Sequence, residues 1–404
     1  MEPDYIERNA SAIPVTVDSS PDPHPREATT GRSLARAIAV VALLFLFLVG
    51  VNGLSNGFRS AGGGLIQFFF DATENPLIGL MIGILATALI QSSSVTTSMI
   101  VAFVAASDHA LPIANAVPMV MGANIGTTVT NMIVSMAHMT RREEFRRAFG
   151  VAVCHDFFNL MSVAILLPLE ILTGFLQRTA TALSGLLTGI GGVEYDSPIK
   201  GVLKLALDPI TRLIQLVSPS DQFAGVVLIL VSAAMIFTAL MLLVKVLRSA
   251  LRTRVELVVN RAFGRNAVVA MLLGMVVTAM VQSSSITTSL LVPLAGAGLI
   301  TLEQAFPITI GANVGTTVTA LMAALAATGV NARAGITIAL VHLLFNLTGT
   351  ALLYPVERIR RIPLAAARWL ADSVAESRRR AVIYVLAFFY GVPAVFAALK
   401  NILE

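Results

Sequence analysis

The sequence predicts an all-α polytopic membrane protein built from two inverted-topology repeats, with re-entrant or broken helices around a central site. Three observations carry this expectation. First, the 404 residues are 56% hydrophobic and only 13% charged, whereas a soluble globular domain carries about a quarter charged residues. Second, apolar stretches at 34–51, 223–244 and 335–354 approach the roughly 20 residues that cross a bilayer as helix. Third, a polar motif occurs twice in otherwise apolar surroundings, each time followed by the same companions in the same order.

Taken in order, residues 1–33 are rich in Pro, Ser, Thr and charge and predict a disordered cytoplasmic N-terminal tail. No apolar run of the signal-peptide kind follows the start. Arg32 and Arg36 precede the first apolar helix, which favours a cytoplasmic N-terminus. Residues 34–192 are expected to form the first transmembrane repeat with a leading helix, and 193–221 an extracytoplasmic loop. A linking helix and basic cytoplasmic loop follow at 222–265, then the second, inverted repeat at 266–356. A basic cytoplasmic segment and a final apolar helix occupy 357–404. The one cysteine, Cys154, excludes an intrachain disulfide and a multi-cysteine metal site. Basic residues are confined to a few loops, which argues against nucleic-acid binding.

The duplication is visible block by block. "GILATALIQSSSVTTS" at 83–98 matches "GMVVTAMVQSSSITTS" at 274–289, with 10 of 16 positions identical. "GANIGTTVT" at 122–130 answers "GANVGTTVT" at 311–319, and "HDFFNL" at 155–160 answers "HLLFNL" at 342–347. Loop charge decides between parallel and inverted copies. After the second block the first copy carries Arg141, Arg142, Arg146 and Arg147, and the second copy only Arg333. After the third block the bias reverses: the first copy leads into the mixed segment 192–221, the second into seven arginines at 357–380. Equivalent loops with opposite bias fit opposite sides of the membrane, an arrangement found in many secondary transporters.

Hydroxyls and amides in hydrocarbon are unfavourable unless paired or wetted. Single Ser and Thr residues serve well as contacts between membrane helices. Gln-Ser-Ser-Ser does not fit that use, because consecutive residues point in all directions around a helix. An unwound or re-entrant turn lining a site explains it better. In the second block, Gly122 and Gly126 flank Asn124 and precede Thr127 and Thr128; the choice is between an oxygen-lined cation site and a glycine-lined helix crossing. His155 and Asn159, like His342 and Asn346, lie four apart on one helix face, as ligands or as structural groups. No Lys or Arg occurs at 76–139 or 267–328. An anion held there needs cations bound with it, since a bare buried dianion is very unfavourable. Asp156 is the one acidic side chain in the duplicated blocks. An intramembrane serine hydrolase using His155 or His342 would not explain why the whole constellation occurs twice, so no enzyme is expected.

These blocks resemble the type II sodium–phosphate cotransporters. The paired QSSS motifs are that family's hallmark, and "VPMVMGANIGTTVTN", "EFRRAFGVAVCHDFFNLMSVAILLPLE" and "ALVHLLFNLTGTALLYPV" look like family segments across roughly residues 75–398. The central loop departs from the animal proteins: it is short and lacks their cysteines and glycosylation sites. The resemblance implies a plasma-membrane, multi-pass symporter that couples inward sodium movement to uptake of inorganic phosphate. The bilayer is its surroundings, sodium a co-transported ligand, and no cofactor is expected. A carrier of another small oxyanion is the alternative. The resemblance further implies that Gln91 and Gln282 line the site, with Ser92, Ser93, Ser94, Ser283, Ser284 and Ser285 meeting phosphate. Gln282, Ser283, Thr316 and Thr317 would contribute to one sodium site, and Gln91, Asn124, Thr127 and Asn159 to a related one. An Asp at the position of Asp156 implies an additional sodium ion and electrogenic transport; relatives with Gly there are electroneutral. Protein partners are left open.

Overall fold

The computed structural model describes residues 27–61, 73–106, 110–189, 198–262, 266–327 and 331–403. Within them the regular elements are helical. The long α1 (Glu27–Ala61) is followed by α2 (Pro76–Ile90), α3 (Ser93–Val104), α4 (Ile113–Gly126), α5 (Thr128–Met136) and α6 (Arg142–Thr173). Next come α7 (Phe175–Gly189), α8 (Pro198–Val217) and α9 (Asp221–Ala262). The second copy comprises α10 (Ala267–Val281), α11 (Ser284–Gly296), α12 (Leu302–Ala326) and α13 (Ala332–Leu353). The chain closes with α14 (Glu357–Glu376), α15 (Arg378–Leu386), a π-helical turn at Ala387–Gly391 and α16 (Val392–Leu403).

Two of these elements differ from the sequence expectation in extent. Helix α1 begins at Glu27 rather than at residue 34; the rest of the expected tail lies outside the described residues. The stretch expected as an extracytoplasmic loop carries the 20-residue helix α8. It is amphipathic: Leu203, Leu207 and Ile214 are buried while Lys204, Arg212 and Gln215 are exposed. Composition alone distinguishes such a helix poorly from a loop when Lys and Asp interrupt the apolar stripe.

Among the described residues, seven helical stretches are long and apolar enough to cross a membrane: Leu34–Leu54, Ile113–Met136, Arg142–Thr173, Asp221–Leu243, Leu302–Ala326, Ala332–Leu353 and Arg378–Phe396. Six of them fall into two groups, and Ala332–Leu353, with 56% of its most apolar window buried, lies between. The spans at 113–136, 142–173 and 302–326 are wrapped by protein, with 83%, 72% and 78% of their most apolar window buried. Those at 34–54, 221–243 and 378–396 bury only 22%, 33% and 22% and turn residues such as Leu34, Ile38 and Val41 outward. The second block of each copy and the third block of the first copy sit on the wrapped helices, where protein rather than lipid surrounds their hydroxyls and amides.

Helices α2, α3, α10 and α11 are shorter, at 15, 12, 15 and 13 residues. At 1.5 Å per residue each covers about 18–22 Å, short of a hydrocarbon core of about 30 Å. In the second copy the chain doubles back, because Thr278 Oγ1 on α10 donates to Thr287 Oγ1 on α11 at 2.8 Å. Nine residues along a straight helix would separate them by about 13 Å.

Close helix crossings hold these short helices in place. A Cβ on Gly122 would lie 2.0 Å from the Leu80 carbonyl oxygen, and one on Gly83 2.1 Å from that of Met119. The second copy repeats the contact, with Gly311 against Met271 at 1.9 Å and Gly274 against Ile308 at 2.2 Å. Only glycine lets backbones approach so closely.

Candidate functional site

Each QSSS motif breaks a helix in the same way. Helix α2 ends at Gln91 (φ 59°, ψ 25°) and α10 at Gln282 (φ 58°, ψ 24°). These are the only non-glycine residues with positive φ among the described residues. A left-handed side chain other than Gly, Asn or Asp costs roughly 1–2 kcal/mol, and such strain clusters at functional positions. The next residue, Ser92 or Ser283, is extended and starts the following helix. The run of serines thus lies across a helix break, as its all-round polarity requires. Ser93, Ser94 and Ser284 are buried; Ser92, Ser283 and Ser285 are partly exposed.

Two equivalent contacts hold each glutamine. Gln91 Nε2 donates to the Ala88 carbonyl, and its Oε1 accepts from Thr130 Oγ1 at 2.9 Å. Gln282 Nε2 donates to the Ala279 carbonyl at 2.8 Å, and its Oε1 accepts from Thr319 Oγ1 at 2.7 Å. Thr130 and Thr319 are equivalent positions, the last threonine of each GTTVT. Sequence reasoning missed both, although the duplication was the signal for them. The two breaks also meet: Ser94 Oγ donates to the Gln282 carbonyl at 3.2 Å.

The second and third blocks join crosswise. His155 Nε2 donates to Asn313 Oδ1, so in a neutral ring Nδ1 accepts from Thr128 Oγ1, 2.9 Å away. Asn313 Nδ2 donates to Asn159 Oδ1 at 2.8 Å, and Asn159 Nδ2 to the Asn124 carbonyl at 3.1 Å. From the other copy, His342 Nε2 donates to Asn124 Oδ1 at 3.3 Å, and Asn346 Nδ2 approaches the same oxygen at 3.4 Å. The third block of each copy therefore engages the second block of the other, with Asn124 and Asn313 as the meeting points. Asn313 was not among the expected site residues, and only its equivalence to Asn124 flags it. His155 is satisfied on both ring nitrogens, a structural group. His342 Nδ1 and Asn346 Oδ1 are buried without a hydrogen-bond partner.

The glycine-crossing and polar-site readings of GANIGTT prove compatible. The glycines face the short helices, while Asn124 faces the crosswise network. The expected sodium sets assemble unevenly. Asn124 meets Asn159, but Gln91 and Gln282 meet Thr130 and Thr319. Thr127, Thr316 and Thr317 are buried, with hydroxyls on carbonyls of their own helices at Ala123, Ala312 and Val314. Asp156 is fully buried. Its Oδ2 accepts from Tyr384 on α15 at 2.5 Å, and its Oδ1 has no partner. No sequence signal marked Tyr384, which lies outside the duplicated unit.

Amide, hydroxyl and carboxylate oxygens in a centre without Lys or Arg form a donor set for hard cations rather than for transition metals. Fold and site together define a polytopic helical membrane protein with a duplicated polar centre. The Na+/Pi-cotransporter family profile matches residues 46–193 and 235–362, each span enclosing one copy of the three blocks, and the chain belongs to that family. It is 32% identical to human sodium-dependent phosphate transport protein 2B, over 90% of this chain and 65% of that protein. It is 33% identical to the sheep protein 2A, over 92% of this chain and 68% of the relative. The orangutan 2B protein is likewise 32% identical over 90% of this chain, again 65% of its own length. No solved structure matches the chain significantly.

Proposed function

We propose that this protein is a secondary active symporter that uses inward sodium movement to take up inorganic phosphate. The crosswise union of two identical polar breaks carries the reading. It concentrates amide, hydroxyl and backbone groups at one buried place without a fixed cation, so an anion bound there needs sodium as its counter-charge. Helix starts at the two breaks supply backbone N–H donors suited to phosphate. The names of the matched relatives supply the choice of ion and anion. The protein functions at the plasma membrane with its N-terminus in the cytoplasm, and Ser92–Ser94 and Ser283–Ser285 meet phosphate. Sodium takes the oxygens of Gln91, Asn124, Thr127 and Asn159 on one side, and of Gln282, Ser283, Thr316 and Thr317 on the other. Asp156 takes a further sodium and makes the cycle electrogenic.

The copies are inverted in this proposal. Support comes from which loops meet. Arg146, after the second block of the first copy, lies 3.3 Å from Asp372, after the third block of the second copy. At another place Arg333, after the second block of the second copy, lines a cavity with Gln177 and Arg178, after the third block of the first. Such an exchange is the pattern of a two-fold relation, and the basic end fits the cytoplasm. The test is labelled phosphate uptake into proteoliposomes: sodium gradients should drive accumulation, and equal uptake with potassium replacing sodium on both sides would refute the coupling.

A further inference from the structure

The last helical segment lies outside both copies of the repeat, yet two of its tyrosines reach the polar centre of the first copy. Tyr384 Oη donates to Asp156 Oδ2 at 2.5 Å. Tyr390 Oη donates to the Ala88 carbonyl at 2.9 Å, and Gln91 Nε2 approaches the same hydroxyl at 3.4 Å. Gln91 forms the left-handed break, and the Ala88 carbonyl holds its side chain. A π-helical turn at Ala387–Gly391 follows Tyr384 and contains Tyr390, an irregularity that recurs at functional sites. The Tyr384 ring is fixed by stacking on Phe388, centroids 5.6 Å apart and planes at 9°, and by an edge contact with Phe389 at 6.1 Å.

The phenol of Tyr384 donates one hydrogen bond but no charge, so it leaves the carboxylate's charge and its other oxygen unmet. Here Asp156 is fully buried and Oδ1 has no partner, which is unfavourable for an acceptor unless a ligand completes it. Holding Oδ2 fixes the carboxylate's rotation and leaves Oδ1 as the free oxygen, the usual relation between a cation ligand and the group behind it. The second copy has no such arrangement. Leu343 stands where Asp156 does, and no tyrosine hydroxyl meets Gln282 among the described residues.

From this we infer that Tyr384 and Tyr390 are positioning residues of the first copy's sodium sites, through which the last helix orients Asp156 at one and braces the Gln91 break at the other. The inference rests on the sodium role proposed for Asp156. It is tested on the purified protein by following thermal unfolding while sodium replaces potassium at constant ionic strength, since a bound ion stabilises the folded state according to its affinity. Tyr384→Phe keeps the ring packing and removes the hydrogen bond; the sodium concentration for half-maximal stabilisation should rise roughly tenfold. Tyr390→Phe should raise it about threefold, a neutral hydrogen bond being the weaker. In an Asp156→Gly background, Tyr384→Phe should add nothing. A wild-type midpoint in Tyr384→Phe, or an equal shift in the Asp156→Gly background, overturns the inference and leaves the sodium reading intact. If sodium fails to stabilise even the wild type, both fall. Should Tyr384→Phe not fold, Tyr390→Phe decides: an unchanged midpoint overturns the inference.

Discussion

The two copies of the repeat agree where the backbone is strained and disagree where the chemistry is charged. Gln91 and Gln282 share dihedral angles within a degree, the same carbonyl contact one turn back, and the same threonine on the amide oxygen. The first copy then adds Asp156 and its tyrosine, where the second has Leu343. It also lacks a tie the second possesses: Thr278 bonds Thr287 across the break, whereas Thr87, its equivalent, leaves its hydroxyl buried and unpartnered. The shared features form the polar centre common to both copies, and the unshared ones set the first copy apart.

The glycine crossings give the largest expected effect. Gly122→Leu and Gly311→Leu should each abolish folding, because the added Cβ alone would lie 2.0 Å or 1.9 Å from a neighbouring carbonyl oxygen, a clash that no rotamer relieves. Fluorescence-detected size exclusion of tagged protein checks this; a monodisperse peak from either variant would remove the close crossing from the account. The serines come next. Ser93→Ala and Ser284→Ala should each lower phosphate affinity roughly tenfold to a hundredfold while leaving expression intact, as loss of a hydrogen bond to a charged ligand costs about 1.5–3 kcal/mol. Near-normal uptake by both would return the serines to a packing role.

The threonine pair gives the smallest effect and the sharpest contrast. Thr278→Val breaks a hydrogen bond and leaves the Thr287 hydroxyl only its 3.5 Å contact with the Ser283 carbonyl, so stability should fall by about 1 kcal/mol. Thr87→Val replaces a hydroxyl that has no partner, and should be neutral or stabilising. Denaturation in detergent, side by side, compares them. Equal destabilisation would mean that the two breaks are braced alike.

The duplicated part of this architecture was legible in the sequence because it is written twice. The helix break at QSSS followed from its all-round polarity, and the burial of Asn124, Asn159, His155 and His342 from their place in repeated blocks. The partners within the network were harder to see. Asn313, Thr130 and Thr319 stand in the quoted blocks, but which hydroxyl meets which amide depends on how two helices cross, and sequence spacing does not fix that. Tyr384 and Tyr390 had no repeat to flag them. A tyrosine in an apolar helix resembles any interfacial aromatic until tertiary packing brings its hydroxyl to a carboxylate more than two hundred residues away. Helix α8 was missed for a similar reason, as its apolar stripe emerges only against the neighbours it covers.

The broken symmetry at Asp156 is the claim that most exposes the account to contradiction. If Asp156 carries a sodium ion beyond those the second copy shares, each cycle moves net positive charge inward. One elementary charge gains about 2.3 kcal/mol per 100 mV, enough to change uptake visibly. The measurement is sodium-driven phosphate uptake in proteoliposomes under a valinomycin-set potassium diffusion potential, for the wild type and for Asp156→Gly. The account predicts that an inside-negative potential accelerates the wild type, and that Asp156→Gly transports more slowly with no response to potential. A wild type indifferent to potential, or an Asp156→Gly protein that responds in full, would contradict it.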